Sequence, residues 1–320
     1  MTVLQIQIGT DTSIDTTEDG YDGGSYVACA DRTQPGVAAI QGLLQRLPYR
    51  AFRQGNCAPG AYYLVNNLDP AYSPDGQLLP HGEADFRLTP QQLPSIGDAL
   101  SRAGLPWKWY AGGRRNGHDA QRDYCATCDP LTSFTRTMTG PDKARLQDLD
   151  RFFDDAGGDA RAFPAVAFIA PADGDSGHPG YSSIDRFEAL VRRVVDQVQQ
   201  NAALWQRTAI IVTFDEGGGY YDSGPVQFID FFGDAPRVPL IVVSPHARAG
   251  HVDHHYTDHA SVIKFIRANW GLPPLSARSR DNLPNPRHGR RGAYLPLNPP
   301  ALGDLMPLFN FRAPPAPQPR

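Results

Sequence analysis

Seven residues, TAIIVTF at Thr208 to Phe214, constrain the fold more than any other stretch. An almost unbroken apolar run of strand length, rich in β-branched residues, is the pattern of a strand buried on both faces of a parallel sheet. Phe163 to Ile169, bounded by Pro164 and Pro171, and Val238 to Val243 (VPLIVV) read the same way, and Trp107 to Tyr110 reads as a further strand. Between these runs the period changes. Ser182 to Gln200 places Ile184, Phe187, Val191, Val194, Val195 and Val198 on one face of a helix, with charges opposite. Asp258 to Trp270 is a second helix, with Asp258 suited to its N-cap and Gly271 and Pro273 beyond its end. Shorter helices are expected at Pro35 to Leu47 and after Ser95, through Ile96 and Leu100 to a stop at Gly104. Strands alternating with helices predict an α/β fold, a doubly wound and mostly parallel sheet.

In such sheets ligands bind beyond the carboxyl ends of the strands. TAIIVTF ends in Asp215 and Glu216, followed by Gly217, Gly218 and Gly219. Two adjacent carboxylates in a partly dry site repel unless a cation lies between them, and oxygen ligands suit a hard or borderline divalent metal. Adjacent strand residues point to opposite faces, so both serve one ion only if the chain turns at Asp215, which the glycines permit. A solvated acidic turn fits the pattern almost as well. The strand at Phe163 leads into Asp173, Asp175 and His178. A histidine there can bind metal or protonate a leaving oxygen, although a loop histidine capping a neighbour is the simpler reading. The third strand ends at Ser244-Pro245-His246, and His251, Asp253, His254, His255, Asp258 and His259 follow. Their types are those of metal ligands but their spacing is not diagnostic. Some members are expected near the site and most on the surface.

The four cysteines include one CxxC, Cys125 and Cys128. Zinc needs four ligands and no second CxxC is present; a thioredoxin-like pair opens a helix, whereas Asp129-Pro130 follows here. Disulfides Cys29–Cys57 and Cys125–Cys128 are the preferred expectation, in an oxidising compartment. Composition adds mostly exclusions. With 41% hydrophobic and 20% charged residues in 320, the chain is of ordinary globular type. A net charge of -4 gives no reason to expect a nucleic-acid partner. The crowding of Arg278, Arg280, Arg287, Arg290 and Arg291 is read as a solvated stretch. No apolar run reaches membrane-spanning length, and no signal peptide is visible at Met1 to Gly23.

Several long stretches, in order, resemble one family: ADRTQPG at Ala30, GAYYLVNNLDP at Gly60, IGDALSRAGLPWKWY at Ile96, YCATCDP at Tyr124, GHP at Gly177, TAIIVTFDEGGGYYDSG at Thr208, VPLIVVSPHARAGHVDH at Val238 and HASVIKFIRANWGLPPLSARSRDNLPNP at His259. They are similar to the bacterial phosphoesterases that include phosphatidylcholine-type phospholipases C and a class of acid phosphatases, within the alkaline-phosphatase-like fold. The resemblance implies metal-dependent attack on a phosphate ester, a phospholipid or a phosphomonoester. It implies a divalent cation held by Asp215 and Glu216, an active-site histidine at His178, and a secreted or periplasmic location. In the family a Ser or Thr on an earlier segment attacks phosphorus, and a still earlier Glu-Asn adds ligands. Here no Glu-Asn-x-Ser-Phe motif occurs, and the strand expected before it is missing.

The expectation is therefore an incomplete phosphoesterase domain over residues 1–300 with an irregular tail at 301–320, weakly active as it stands. The alternatives are a noncatalytic remnant that binds phosphate or metal, and a disulfide-held binding or scaffolding module. If a nucleophile does lie within the chain, Thr213, Ser176 and Ser244 are its candidates. Roles for Asn66, Asn67, His118 and Tyr221 stay open.

Overall fold

The computed structural model describes residues 69–80, 88, 90–114, 124–180, 182–217, 222, 237–277, 279–288 and 296–311, together with the backbone of two short strands, β1 (Tyr26–Val27) and β2 (Tyr63–Leu64), which pair antiparallel. The expected helix at Pro35 to Leu47 and the Cys29–Cys57 pair lie outside the described residues, as do Asn66, Asn67, His118 and Tyr221.

Helix α1 (Ile96–Arg102) starts where the sequence places it. Ser95 accepts from the Asp98 backbone, and the Asp98 side chain accepts in return from the Ser95 backbone. Strand β3 (Trp107–Ala111) follows, then α2 (Thr135–Thr139), β4 (Leu146–Asp148), α3 (Asp150–Gly157) and β5 (Val166–Ala170). The three strands form one parallel sheet in the order β4-β3-β5, with Trp109 opposite both Leu146 and Phe168. The sequence does not announce α2, β4 or α3. Leu-Gln-Asp is too short and polar to show a strand period, and the three-residue β4 is held by its place beside β3.

Alternation along β3 and β5 sends side chains into two cores. Trp107, Trp109, Val166 and Ala170 pack with Leu100, Leu131, Met138, Ile263 and Ile266 on one face. Tyr110 packs on the other with Phe152, Leu190, Val194, Val198 and Trp205, and Ala167 and Ile169 lie against that cluster. Each fully buried large side chain contributes roughly 1.5–3 kcal/mol by burial. Helix α4 (Ile184–Gln200), capped by Ser183, supplies Leu190, Val194 and Val198 to the second face. Ile184, expected in that stripe, is 55% exposed, and Leu190 takes the buried place instead.

After α5 (Ala202–Trp205) come β6 (Ile210–Thr213) and β7 (Leu240–Val243), and here the expected parallel order fails. The two strands pair antiparallel, Ile210 opposite Val243 and Thr213 opposite Leu240. No residue of β6 is fully buried, and Ile241 is 56% exposed. The pair still has core on both sides. Ile210 and Val243 meet the α4 side, whereas Ile211, Leu240 and Val242 meet Phe265, Leu305 and Phe309. The last helix, α6 (Ala260–Trp270), ends at Gly271 in the left-handed conformation. The architecture is thus mixed α/β, with helices on both faces of a parallel three-stranded sheet. Among the described residues no helix is long and apolar enough to cross a membrane.

Residues 301–309 contain no more than a single helical turn, yet they are not peripheral. Ala301 and Leu302 are fully buried, Leu305 nearly so, and Phe309 stacks on Phe265 at 5.0 Å. The Lys264 ammonium donates to the carbonyls of Leu283 and Leu302 at 2.6 Å each, tying α6 to this segment. The arginine-rich stretch before it is also better anchored than expected. Arg280 pairs with Asp258, and the Arg267 guanidinium pairs with the fully buried Asp281 at 2.9 Å.

Candidate active site at the end of β6

β5 ends at Ala170, and the chain must turn sharply to clear the sheet. Gly112, just past the parallel end of β3, makes that possible. A Cβ on Gly112 would stand 2.3 Å from the Ala172 nitrogen, a contact no side chain tolerates. A single turn at Asp173–Asp175 follows. Ser176 then donates through Oγ to the Asp173 carbonyl at 2.8 Å and accepts from the His178 backbone at 3.1 Å. Gly177, at φ +79°, takes the left-handed bend that aims His178. His178 Nδ1 lies 2.7 Å from the Pro179 carbonyl, and Nε2 faces Glu216 Oε1 at 3.9 Å.

The chain bends at Asp215 and Glu216 immediately after β6, the turn that two carboxylates on one ion require. Both carboxylates are exposed. Phe214 is held from two sides. Its ring meets Phe187 of α4 at 4.7 Å, and its carbonyl lies 2.7 Å from His259 Nε2 at the start of α6. The end of β6, the loop after β5 and the amino end of α6 therefore meet at one place. The structure brings His178 and Glu216 together. It does not bring Asp215, Glu216 and His178 into a set whose ligand atoms all lie within 4.8 Å of one another. Two carboxylates with an imidazole are nevertheless the donor chemistry of a hard or borderline divalent cation.

The remaining histidines sort by position. Ser244 and His246 lie at the opposite end of the β6–β7 pair, because β7 runs antiparallel. Ser244 Oγ donates to the Thr208 carbonyl at 2.8 Å, and His246 Nε2 lies 2.9 Å from the Gln206 carbonyl. His255 Nδ1 is 2.6 Å from Asp253, and its ring meets His288 edge-on at 4.5 Å. α6 starts later than expected, with His259 at its N-cap and Asp258 one residue before it. The Asp258 carboxylate accepts from the Ala260 backbone at 2.7 Å, while the Ser261 hydroxyl accepts from the Asp258 backbone at 3.1 Å. Thr213 Oγ1 donates to the Pro239 carbonyl at 3.0 Å, so Thr213, Ser176 and Ser244 each spend their hydroxyl on a main-chain carbonyl.

The sequence pattern does not single out Asp222, and it marks His259 only as one of a group. Asp222 holds Arg237 at the entrance to β7, with 2.7 Å between Oδ1 and Nη2. Its place inside the DEGGGYYDSG stretch was the available signal. His259 is the member of the expected histidine and aspartate group that the fold places against the Phe214 carbonyl.

Cys125 and Cys128 are bonded to each other. Tyr124 and Asp129, next to them in sequence, belong to one hydrogen-bonded group. Tyr124 donates to Asp129 Oδ2 at 2.7 Å, and the buried Arg114 guanidinium pairs with the same oxygen and donates to the Pro74 carbonyl at 2.9 Å. Burial pushes the fully enclosed Asp129 carboxyl above the usual range, against the pull of Arg114 and Tyr124. Burial, with Asp129 alongside, raises the Tyr124 hydroxyl as well.

A family model described as the phosphoesterase family matches residues 50–273. The chain is 26% identical over 294 residues to phospholipase C A of Mycobacterium tuberculosis, covering 79% of this chain and 50% of that protein. It is 29% identical over 178 residues to the non-hemolytic phospholipase C of Burkholderia pseudomallei, covering 47% of this chain and 23% of that one. It is 26% identical over 212 residues to an acid phosphatase of Aspergillus niger, covering 63% and 48%. The chain spans about half the length of the first of these relatives.

Proposed function

The chain belongs to the phosphoesterase family, and from that premise we propose that it binds and hydrolyses phosphoric esters, phospholipids or phosphomonoesters, with a divalent cation held by Asp215 and Glu216. The observation that carries this reading is the meeting of His178, from the loop after β5, with Glu216, past the end of β6, at 3.9 Å. An ester phosphate at this place would have a carboxylate pair on one side and an imidazole on the other. When bound, the cation supplies charge neutralisation for the phosphate oxygens. His178, 52% exposed on its side chain, is placed to give a proton to the leaving oxygen. Gly177 and Ser176 set the His178 backbone, the Pro179 carbonyl meets its ring Nδ1, and His259 meets the Phe214 carbonyl just before the carboxylates.

The same proposal includes a doubly wound, alkaline-phosphatase-like sheet and a location outside the cytoplasm. The bonded Cys125 and Cys128 favour the latter. One observation favours a second reading, a phosphate- or metal-binding module without turnover. Each candidate hydroxyl, on Thr213, Ser176 and Ser244, is donated to a backbone carbonyl.

Calorimetric titration of the chain with divalent metals, alongside an assay on aryl phosphate esters and phosphatidylcholine, separates the two. Metal binding with weak turnover is expected. Asp215→Ala should abolish metal retention and activity together, whereas His178→Ala should lower turnover and keep the metal. If Asp215→Ala binds metal as tightly as the parent, these carboxylates are an ordinary acidic turn. Binding without turnover establishes the second reading.

A further inference from the structure

The sequence argues against zinc at the CxxC pair, because it offers no second pair. The fold supplies another ligand from elsewhere. Asp173, first residue of the turn after β5, brings a carboxylate oxygen to within 4.8 Å of both Cys125 Sγ and Cys128 Sγ, and all three side chains are half-buried. Among the described residues this is the one group of three or more such side chains with ligand atoms so close. We propose that, once its disulfide is reduced, the Cys125–Cys128 pair forms with Asp173 a binding site for a thiophilic divalent metal of the zinc class, distinct from the Asp215–Glu216 carboxylates.

Three properties support the assignment. Cys-x-x-Cys is the spacing of half a zinc site, because one tight turn sets both sulfurs on the same side. Here that turn is present, with the Cys128 backbone donating to the Cys125 carbonyl at 3.2 Å and the Asp129 backbone to the Ala126 carbonyl at 3.2 Å. In a tetrahedral site the donor atoms stand roughly 3.3–3.8 Å apart. The observed spacing therefore needs only a small approach by the Asp173 side chain and a parting of the sulfurs. Two thiolates and a carboxylate also leave a fourth position open for water, the ligand count of a zinc ion that is not sealed off. The surroundings hold the turn in place independently of the sulfur–sulfur bond, since Tyr124 and Asp129 are bonded to each other and Asp129 to Arg114.

The chemistry balances with a dithiol as reductant. The Cys125–Cys128 bond breaks and takes up two electrons. The dithiol becomes its own disulfide, and its two protons pass to the cysteine sulfurs. Zinc then replaces those two protons, which leave to solvent. In the oxidised protein the sulfurs have no thiolate to offer, so metal binding follows the redox state.

The test is an anaerobic titration of the full chain with Co2+ before and after treatment with a dithiol that is removed before metal is added, followed by displacement with Zn2+. Expected is a thiolate-to-cobalt charge-transfer absorption at one metal per chain, in the reduced protein only and erased by Zn2+. Cys125→Ser with Cys128→Ser should remove the band. Asp173→Asn should weaken affinity by about tenfold or more, a loss seen even for indirect partners of metal ligands. Asp215→Ala with Glu216→Ala should leave the band unchanged, which separates this site from the phosphoesterase proposal. Absence of the band after reduction overturns the inference, whether the reduced chain stays folded by circular dichroism or not. Survival of the band in the double serine variant, which would place it on Cys29 and Cys57, does so too, as does unaltered affinity in Asp173→Asn.

Discussion

Asp129 shows how much can rest on one side chain. It has no exposed surface, it receives the Arg114 guanidinium and the Tyr124 hydroxyl on one oxygen, and its other oxygen has no protein partner. Removing one member of such a pair strands the other in a medium that cannot solvate it. Asp129→Ala is therefore expected to destabilise the chain by about 3–5 kcal/mol in urea unfolding. Replacing Asp129 and Arg114 together with apolar residues should cost much less, because no charge is left behind. An equal cost for single and double replacements would show that the pair contributes nothing through its charge. Little of this was legible beforehand. Asp129 follows a cysteine and precedes a proline, which reads as a turn, and only the fold brings Arg114 against it.

At the scale of elements, α3 is fastened to β3 through one carboxylate. Asp155 accepts from Lys108 at 2.5 Å and from the buried Tyr110 hydroxyl at 2.7 Å, and Arg151 approaches its second oxygen at 3.1 Å. Burial alone would raise the Asp155 carboxyl, but the bonds from Lys108 and Tyr110, with the charges of Lys108 and Arg151, bring it below its ordinary value. A native pKa below the unfolded one means that the native state binds fewer protons. The stabilisation is then fully present above about pH 4, the unfolded value, and is lost as pH falls through the native one. Asp155→Asn should cost about 1.5–3 kcal/mol at pH 7, and the gap from the parent should shrink in acid. A gap independent of pH between 7 and 3 would mean that shape, not charge, holds α3. Most elements were legible, because each carries its own period or cap. Ser95 starts α1, Gly271 ends α6, β6 and β7 fall inside their apolar runs, and β3 and β5 reach one residue past theirs, to Ala111 and Ala170. β4, α2, α3 and α5 were not, since a three-residue strand has no period, α2 and α5 are about one turn long, and α3 buries only Phe152 and Ala156.

At the scale of the whole molecule, the carboxyl-terminal segment closes the core around α6 although it has almost no regular structure. Leu302 is fully buried and its backbone donates to the Pro284 carbonyl at 2.9 Å. Leu302→Ala should cost about 2–5 kcal/mol by chemical denaturation, the range for an emptied leucine site in a core. A loss below about 0.5 kcal/mol, typical of exposed positions, would show that the segment lies loosely on the surface. By itself the sequence determined the α/β class, the strands and helices with strong periods, and the family, through motifs long enough to be specific. It also picked out His178 and Glu216, which the fold brings together. Only the tertiary structure decided the direction of β7. An apolar run reads the same in a parallel and an antiparallel ladder, because alternation and burial do not record chain direction. That one choice sends Ser244 and His246 to the far end of the strand pair and leaves the amino end of α6, with His259, beside Phe214 and the carboxylates.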